Sequence, residues 1–401
     1  MAKSANDVVV TGVGIVTSLG IGAEVHTAIL TGPQAPAVRV EIEKYAPYPV
    51  HPLPEIDWSQ QIAKRGDQRQ MENWQRLGVF SAGLALDDAG FKDDLEACGT
   101  MDMIVSAGGG ERDINVDTLI VDEGLKRNDR ELLLNEKLTT ELRPTLFLAQ
   151  LSNLMAGNIS IVHKVTGSSR TFMGEEGAGI SAIETAFARI KAGQSTHTLV
   201  GGAFAAERLD MILLIEAVQG HATGEWHPIW SRSPDNGGGM ITGSVGAFLV
   251  LESRKHAEAR GARIYATINA VAGDRGSREG DRLEKRLQYM AETATNSDPD
   301  ATVVFSGTSG FHDLVGREKA FLDASFPKAA IRGYGGLVGH ALESHFPLGI
   351  ALAALSLGAG ATVPPFDTAA ETVAAKPVKT AIVTTIGHSR GEGVAVLSAE
   401  A

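Results

Sequence analysis

Short apolar runs of strand length recur along this chain, each punctuated by glycine and most followed by a stretch of helical character. That alternation confines the chain to the α/β class. Val8–Thr11 (VVVT) leads into the glycine-rich GVGIVTSLG, expected as a turn, and then a helix near Ala23–Leu30. Met103–Ser106 runs into Gly108–Gly110, and Thr198–Val200 into Gly201–Gly202. Val245–Leu251 (VGAFLVL) is closed by Glu252 and a polar helix, Arg254–Arg260. After a short GAR break, Ile264–Ile268 opens a second series. It continues through Thr302–Phe305, a helix near Val315–Leu322, an apolar helix at Phe346–Leu357, Thr380–Thr384 and Val394–Leu397. Runs that are apolar at consecutive positions suit strands buried on both faces, as in parallel sheets. The pattern predicts two α/β halves, residues 1–260 and 261–401, while two unrelated doubly wound domains would read the same way.

Composition narrows the function classes. With 46 glycines, 5% aromatic and 43% hydrophobic residues, the 401-residue chain has material for a large core and many tight strand–helix turns. A formal charge of −12 and a pI near 5.4, with no long basic run, argue against general affinity for nucleic acid or anionic membranes. An acidic partner would need a local basic patch. The single cysteine, Cys98, excludes an internal disulfide and a multi-cysteine metal site. The N-terminus lacks signal-peptide architecture, and no run of about 18 apolar residues is evident, so no membrane span is expected. A reducing cytoplasm is the expected compartment.

The charged segment Arg112–Arg143, with RNDRELLLNEKL inside it, reads as a solvated insertion capping the first half near residues 112–150. Proline-rich Pro33–Asp57 reads as a loop. No short-period repeat or low-complexity tract is present.

Several segments, in order along almost the whole chain, resemble the β-ketoacyl-acyl-carrier-protein synthases of elongating type. VVVTGVGIVTSLG is similar to the family's opening strand and glycine turn, and QRQMENWQRLGVFSAGLALDDAG to the helix after its Q-R-x-M-D signature. SRSPDNGGGMITGSVGAFLVLES followed by HAEARGARIYA resembles the family's R-P-F-D stretch and its H-A-x-x-R-G-A-x-I-Y-A continuation. GTSGFHDLVGREKAF and GYGGLVGHALESHFPLGIALAALSLGAGATVPP resemble the segments around its two catalytic histidines. The resemblance implies a thiolase-like, five-layered αβαβα fold with two pseudo-symmetric halves. It also implies a homodimer, or a heterodimer with an active ketosynthase.

Condensation needs a thiolate, which the family places at the N-terminus of a buried helix, where the helix dipole lowers the cysteine pKa. Aligning TGSSRTFMGEEGAGISAIETAF with that turn puts Glu176 at the nucleophile position, or Glu175 on a one-residue slip. Neither can substitute, because an acyl–glutamate would be a mixed anhydride of higher energy than the incoming thioester. Glu176 then fills a retired site, acts as a general base, or mimics a ligand. Ser306 stands at the first histidine's position, before Gly307-Thr308-Ser309-Gly310, and His340 at the second, while Gly335 replaces the lysine of K-x-x-x-G-H. His340 is either a remnant oxyanion donor or a structural histidine. The gating loop N-S-F-G-F-G-G corresponds to TTIGHSRGEG, without its phenylalanine; His388 there either faces the pocket or is solvent-exposed. His340 and His345 alone make too weak a pattern for a metal, so no metal and no cofactor are expected.

The resemblance further implies acyl carrier protein as partner. Lys64, Arg65 and Arg69 lie where the family presents basic docking residues, although they read equally as a solvated helix face. Thr308 matches a pantetheine-binding threonine. The expected function is that of a 3-oxoacyl-acyl-carrier-protein synthase homologue of fatty-acid biosynthesis, with very-long-chain acyl groups for lipid A one candidate pathway. It would be a non-condensing partner resembling a chain-length factor. The alternative is an active enzyme that decarboxylates or hydrolyses malonyl thioesters through Glu176 and His340.

Overall fold

The computed structural model describes residues 3–144, 146–294 and 298–400. Ten strands carry the fold: β1 Val8–Thr17, β2 Asp102–Ser106, β3 Ser169–Phe172, β4 His197–Phe204, β5 Val245–Ser253, β6 Ala266–Asp274, β7 Thr302–Ser306, β8 Ala330–Gly333, β9 Thr380–Ile386 and β10 Glu392–Ser398. They lie in one sheet in the order β8-β7-β9-β10-β6-β1-β5-β4-β2-β3, with the two-residue strand Gly20–Ile21 paired to β1.

This order repeats itself. The first five strands run 3-2-4-5-1 across the sheet, and so do the last five. Pairing sense repeats too: β2 is parallel to β3 and β4, β5 is antiparallel to β4 and β1, and the second set matches this strand for strand. The sets join where Val8–Val10 pair antiparallel with Ala266–Ile268.

Helices complete the layers: α1 Asn73–Ala89, α2 Ile114–Gly124, α3 Arg130–Thr140, α4 Leu154–His163, α5 Glu175–Lys191, α6 Arg282–Ala291, α7 His312–Ser325 and α8 His345–Ala359. α5 and α8 pack between the two sets of strands, α1 and α4 cover the outside of the first, and α6 and α7 the outside of the second. The result is the expected αβαβα thiolase-like arrangement. Strand alternation serves it directly: Val245, Ala247, Leu249 and Leu251 face the middle layer, while Phe248 and Val250 face α1. Both faces are apolar because both are covered. α2 and α3 lie side by side, tied by the Lys137–Glu123 ion pair at 3.0 Å.

Two expectations change. Gly12 and Gly14 of GVGIVTSLG do not form a turn; they lie within β1, which runs on to Thr17, and the chain turns only at Ser18–Leu19, before Gly20. A Cβ at Gly12 would come 2.4 Å from the Ala85 carbonyl oxygen, and one at Gly14 1.9 Å from that of Ser81. The glycines let α1 lie against the strand. Second, Leu342–Ala359 is a stretch of 18 residues with mean hydropathy 1.3, long and apolar enough to cross a membrane. It is 89% buried inside the protein, because α8 is enclosed by strands of both sets and must be apolar on every face.

Candidate functional site

β3 ends at Phe172, and the chain turns through Gly174, with φ of 117°, into α5. Glu175, the next residue, holds φ at 52°, a region that L-residues other than Asn and Asp seldom occupy. The head of α5 is thus a sharp, strained turn, a feature that concentrates at functional sites. Small residues bring it close to its neighbours. A Cβ at Gly177 would sit 2.9 Å from Arg275 Nε, and one at Gly179 2.4 Å from the Glu343 carbonyl oxygen. Glu176 is thereby carried into the interior with no exposure at all.

The structure brings His340 and His388 to it. His340 Nε2 donates to Glu176 Oε1 at 2.6 Å, and His388 donates to the same oxygen from its backbone N–H at 3.0 Å and from Nδ1 at 2.9 Å. His388 Nε2 lies 3.7 Å from Glu175 Oε1, and Ser389 Oγ donates to Glu175 Oε2 at 2.9 Å. The loop after β9 closes tightly over the helix end: a Cβ at Gly387 would approach Glu176 Oε2 to 2.8 Å, and one at Gly391 the Gly177 nitrogen to 2.9 Å. Arg278 fixes this loop from the far side, donating to the Gly387 and His388 carbonyls and pairing with Glu392 at 2.7 Å.

Burial on its own would raise the Glu176 carboxyl. The hydrogen bonds and charges of His340 and His388 outweigh it and hold the group well below the usual carboxylate range. Burial likewise lowers the His388 imidazole, but Glu176, and then Glu175, raise it above its ordinary value. Each of the two groups thus favours the charged form of the other. His345 has a different part. It accepts from the Ala341 N–H and donates from Nε2 to the Gly307 carbonyl at 3.0 Å, and burial keeps it neutral.

The remaining expected residues are placed apart. Ser306, at the end of β7, gives its hydroxyl to Glu318 at 2.6 Å, and burial pushes that carboxyl up to about 7. Thr308 is fully buried. Gly335 lies in the short helix Tyr334–Val338, where a Cβ would meet the Thr308 carbonyl oxygen at 2.2 Å, so no lysine fits that backbone. Cys98 is buried in the helix Leu95–Thr100 on the outer side of the first strand set. Its thiol donates to the Phe91 carbonyl, and burial followed by Asp94 and Asp93 raises it to about 11. It takes no part in the site. Lys64, Arg65 and Arg69 are exposed along the helix Arg65–Gln70 and the residue before it. Among the described residues none of the three is drawn into an ion pair.

Beside the cluster, Glu343 is buried, and its carboxyl is pushed up to about 7 by burial and then by the charges of Glu176 and Glu175. It borders a cavity of about 30 Å³ with Trp74, Gly108, Phe204, Arg208 and Met211. That volume holds a water or two and no alkyl chain.

With this geometry in view, comparison with known proteins is decisive. The β-ketoacyl synthase N-terminal domain matches residues 5–257, more than half of the chain. The chain belongs to the β-ketoacyl synthase family. It is 28% identical over 372 residues to 3-oxoacyl-[acyl-carrier-protein] synthase 2 of Rhizobium meliloti (strain 1021), covering 84% of this chain and 85% of that one. Putative polyketide beta-ketoacyl synthase 1 of Streptomyces halstedii is 24% identical over 374 residues, with 89% and 87% covered. Among solved structures, the ishigamide ketosynthase/chain length factor superposes with a TM-score of 0.78 at 20% identity, covering 98% of this chain and 99% of that one. A type II polyketide acyl-carrier protein in complex with its ketosynthase superposes at 0.72 with 19% identity and full coverage of both chains.

For this β-ketoacyl synthase homologue, sequence reading paired Glu176 with His340 and left His388 open. It missed Glu318 and Glu343. Glutamate at position 343, amid the apolar and small residues of GHALESHFPLG, was the available signal for the second. Nothing local marks Glu318, whose partner lies 12 residues upstream on another element.

Proposed function

We propose that this chain is a non-condensing subunit that pairs with an active ketosynthase, in the manner of a chain-length factor. The observation that carries the reading is Glu176. The position that presents a nucleophile in the resembling enzymes holds a fully buried carboxylate, with both nearby imidazoles committed to one of its oxygens. An oxygen so engaged is no acyl acceptor, and carboxylates do not perform thiolate chemistry. Supporting this, Ser306 is given to Glu318, Gly335 leaves no room for a lysine, and the cavity beside Glu343 is too small for an acyl chain. The alternative, malonyl-thioester decarboxylation or hydrolysis by Glu176 and His340, would need a free base and an open carbonyl site. The same hydrogen bonds weigh against it.

In this reading the partner supplies cysteine, histidines and tunnel, and this subunit completes the dimer. Relatives in fatty-acid and polyketide synthesis make an acyl or polyketide chain on a carrier protein the substrate class, and very-long-chain acyl groups of the lipid A kind are one product such a pair would serve. Lys64, Arg65 and Arg69 would offer the carrier a local cationic face against the −12 background. Glu176, Ser306, His340 and Thr308 would be remnants of the ancestral machinery. Co-expression with a cysteine-bearing ketosynthase tests the pairing. A mixed dimer that survives size exclusion is expected; a homodimer that never exchanges subunits contradicts it.

A further inference from the structure

We propose that Glu176, His340 and His388 form a binding site for a first-row divalent cation of the zinc class. Their ligand atoms all lie within 4.8 Å of one another and come from three separate places in the fold: the head of α5, the turn after Tyr334–Val338 and the loop after β9. Two imidazoles and a carboxylate suit borderline cations such as Zn²⁺ or Co²⁺ better than the hard Mg²⁺ or Ca²⁺, and leave a fourth position for water.

Hydrogen bonding alone leaves two faults in this buried cluster. Three donors converge on Glu176 Oε1, while among the described residues its Oε2, equally buried, has none. His340 Nδ1 is likewise buried without a partner. A buried polar atom left unpaired is costly, more so on a charged group. A dication among the three side chains answers the first fault, replacing the ring protons aimed at Oε1 and giving Oε2 a charge to bind. Spacing permits it with a small opening of the cluster: Oε1 is 2.6 Å from His340 Nε2 and 2.9 Å from His388 Nδ1, and ligands about 2 Å from a tetrahedral metal lie about 3.3 Å apart. With His388 Nδ1 turned to the cluster, its Nε2 lies 3.7 Å from Glu175 Oε1, an outer carboxylate that would need to move closer to bond the ring of a ligating imidazole. The helix N-terminus opposes a cation with roughly half a positive charge, less than the full charge of Glu176. Binding releases imidazole protons to solvent, so affinity falls on acidification.

The site stands apart from the partner-subunit reading, because a cation can occupy it in a chain that carries no acyl group. The test uses the full chain, stripped with a chelator and titrated with ZnCl₂ by calorimetry and with CoCl₂ by visible absorption. About one ion per chain and the ligand-field bands of low-symmetry Co²⁺ are expected. His388→Ala should weaken binding by about 100-fold or more, and Glu175→Gln by roughly 10–100-fold. Glu176→Gln, which keeps the shape and removes the charge, serves as the second ligand variant, with circular dichroism to verify folding. Wild-type protein that gives no cobalt bands overturns the proposal, as do affinities left at the wild-type value in both His388→Ala and Glu176→Gln.

Discussion

Glu176 holds two imidazoles together in the interior, so removing it takes the acceptor from His340 Nε2 and His388 Nδ1. Breaking a buried pair from one side costs about 3–5 kcal/mol, and Glu176→Ala should lose that much in a denaturant titration. Glu176→Cys restores a thiol but not the environment that uses it, since Ser306 is bound to Glu318 and Gly335 admits no lysine. Carbon–carbon bond formation from labelled malonyl-carrier protein should stay undetectable in that variant. Glu318 gives the residue scale a pH signature. Its folded-state pKa of about 7 lies above the 4.5 of the unfolded chain, so between those values the folded protein binds more protons. Stability should then fall as pH rises from 4.5 to 7, by up to roughly 3 kcal/mol. Glu318→Gln should make that slope shallower in a pH series of unfolding midpoints, leaving the part that Glu343, also raised to about 7, contributes.

Elements show where sequence was legible. The consecutive apolar runs announced β5, β9 and β10, because strands covered on both faces have no polar alternate positions to blur them. β3 and β8 escaped. β3 is a half-exposed SRTF with no apolar period, and β8 is four residues containing the buried Arg332, satisfied by the Val363 and Thr372 carbonyls. No local pattern reveals partners that far along the chain. The glycines of β1 misled for a related reason: glycine signals a turn locally, while here the demand for it comes from α1. Gly14→Val should therefore destabilise the protein by about 1–3 kcal/mol or more, since its side chain would meet the Ser81 carbonyl. Thermal unfolding would show it, and a neutral outcome would mean that α1 can move away. In the site, the pairing of Glu176 with His340 was readable from motif spacing. His388 was not, because its role depends on how a loop folds over α5.

At the scale of the molecule, a repeated 3-2-4-5-1 topology places the head of α5 and the loop after β9 at one point between the two strand sets. The layers rest on apolar strands and not on this junction, so the fold does not depend on which side chains stand there. Surface charge is a separate resource. Reversing Lys64, Arg65 and Arg69 to glutamate should weaken carrier-protein binding and its salt dependence, measured by calorimetry at two ionic strengths. Unchanged binding would return those residues to the role of a solvated helix face. The most direct measurement is intact-mass spectrometry of the co-purified pair after incubation with acyl-carrier protein. An acyl adduct on the cysteine-bearing partner and none on this chain is the predicted result, and an acyl group found covalently attached to this chain would contradict it.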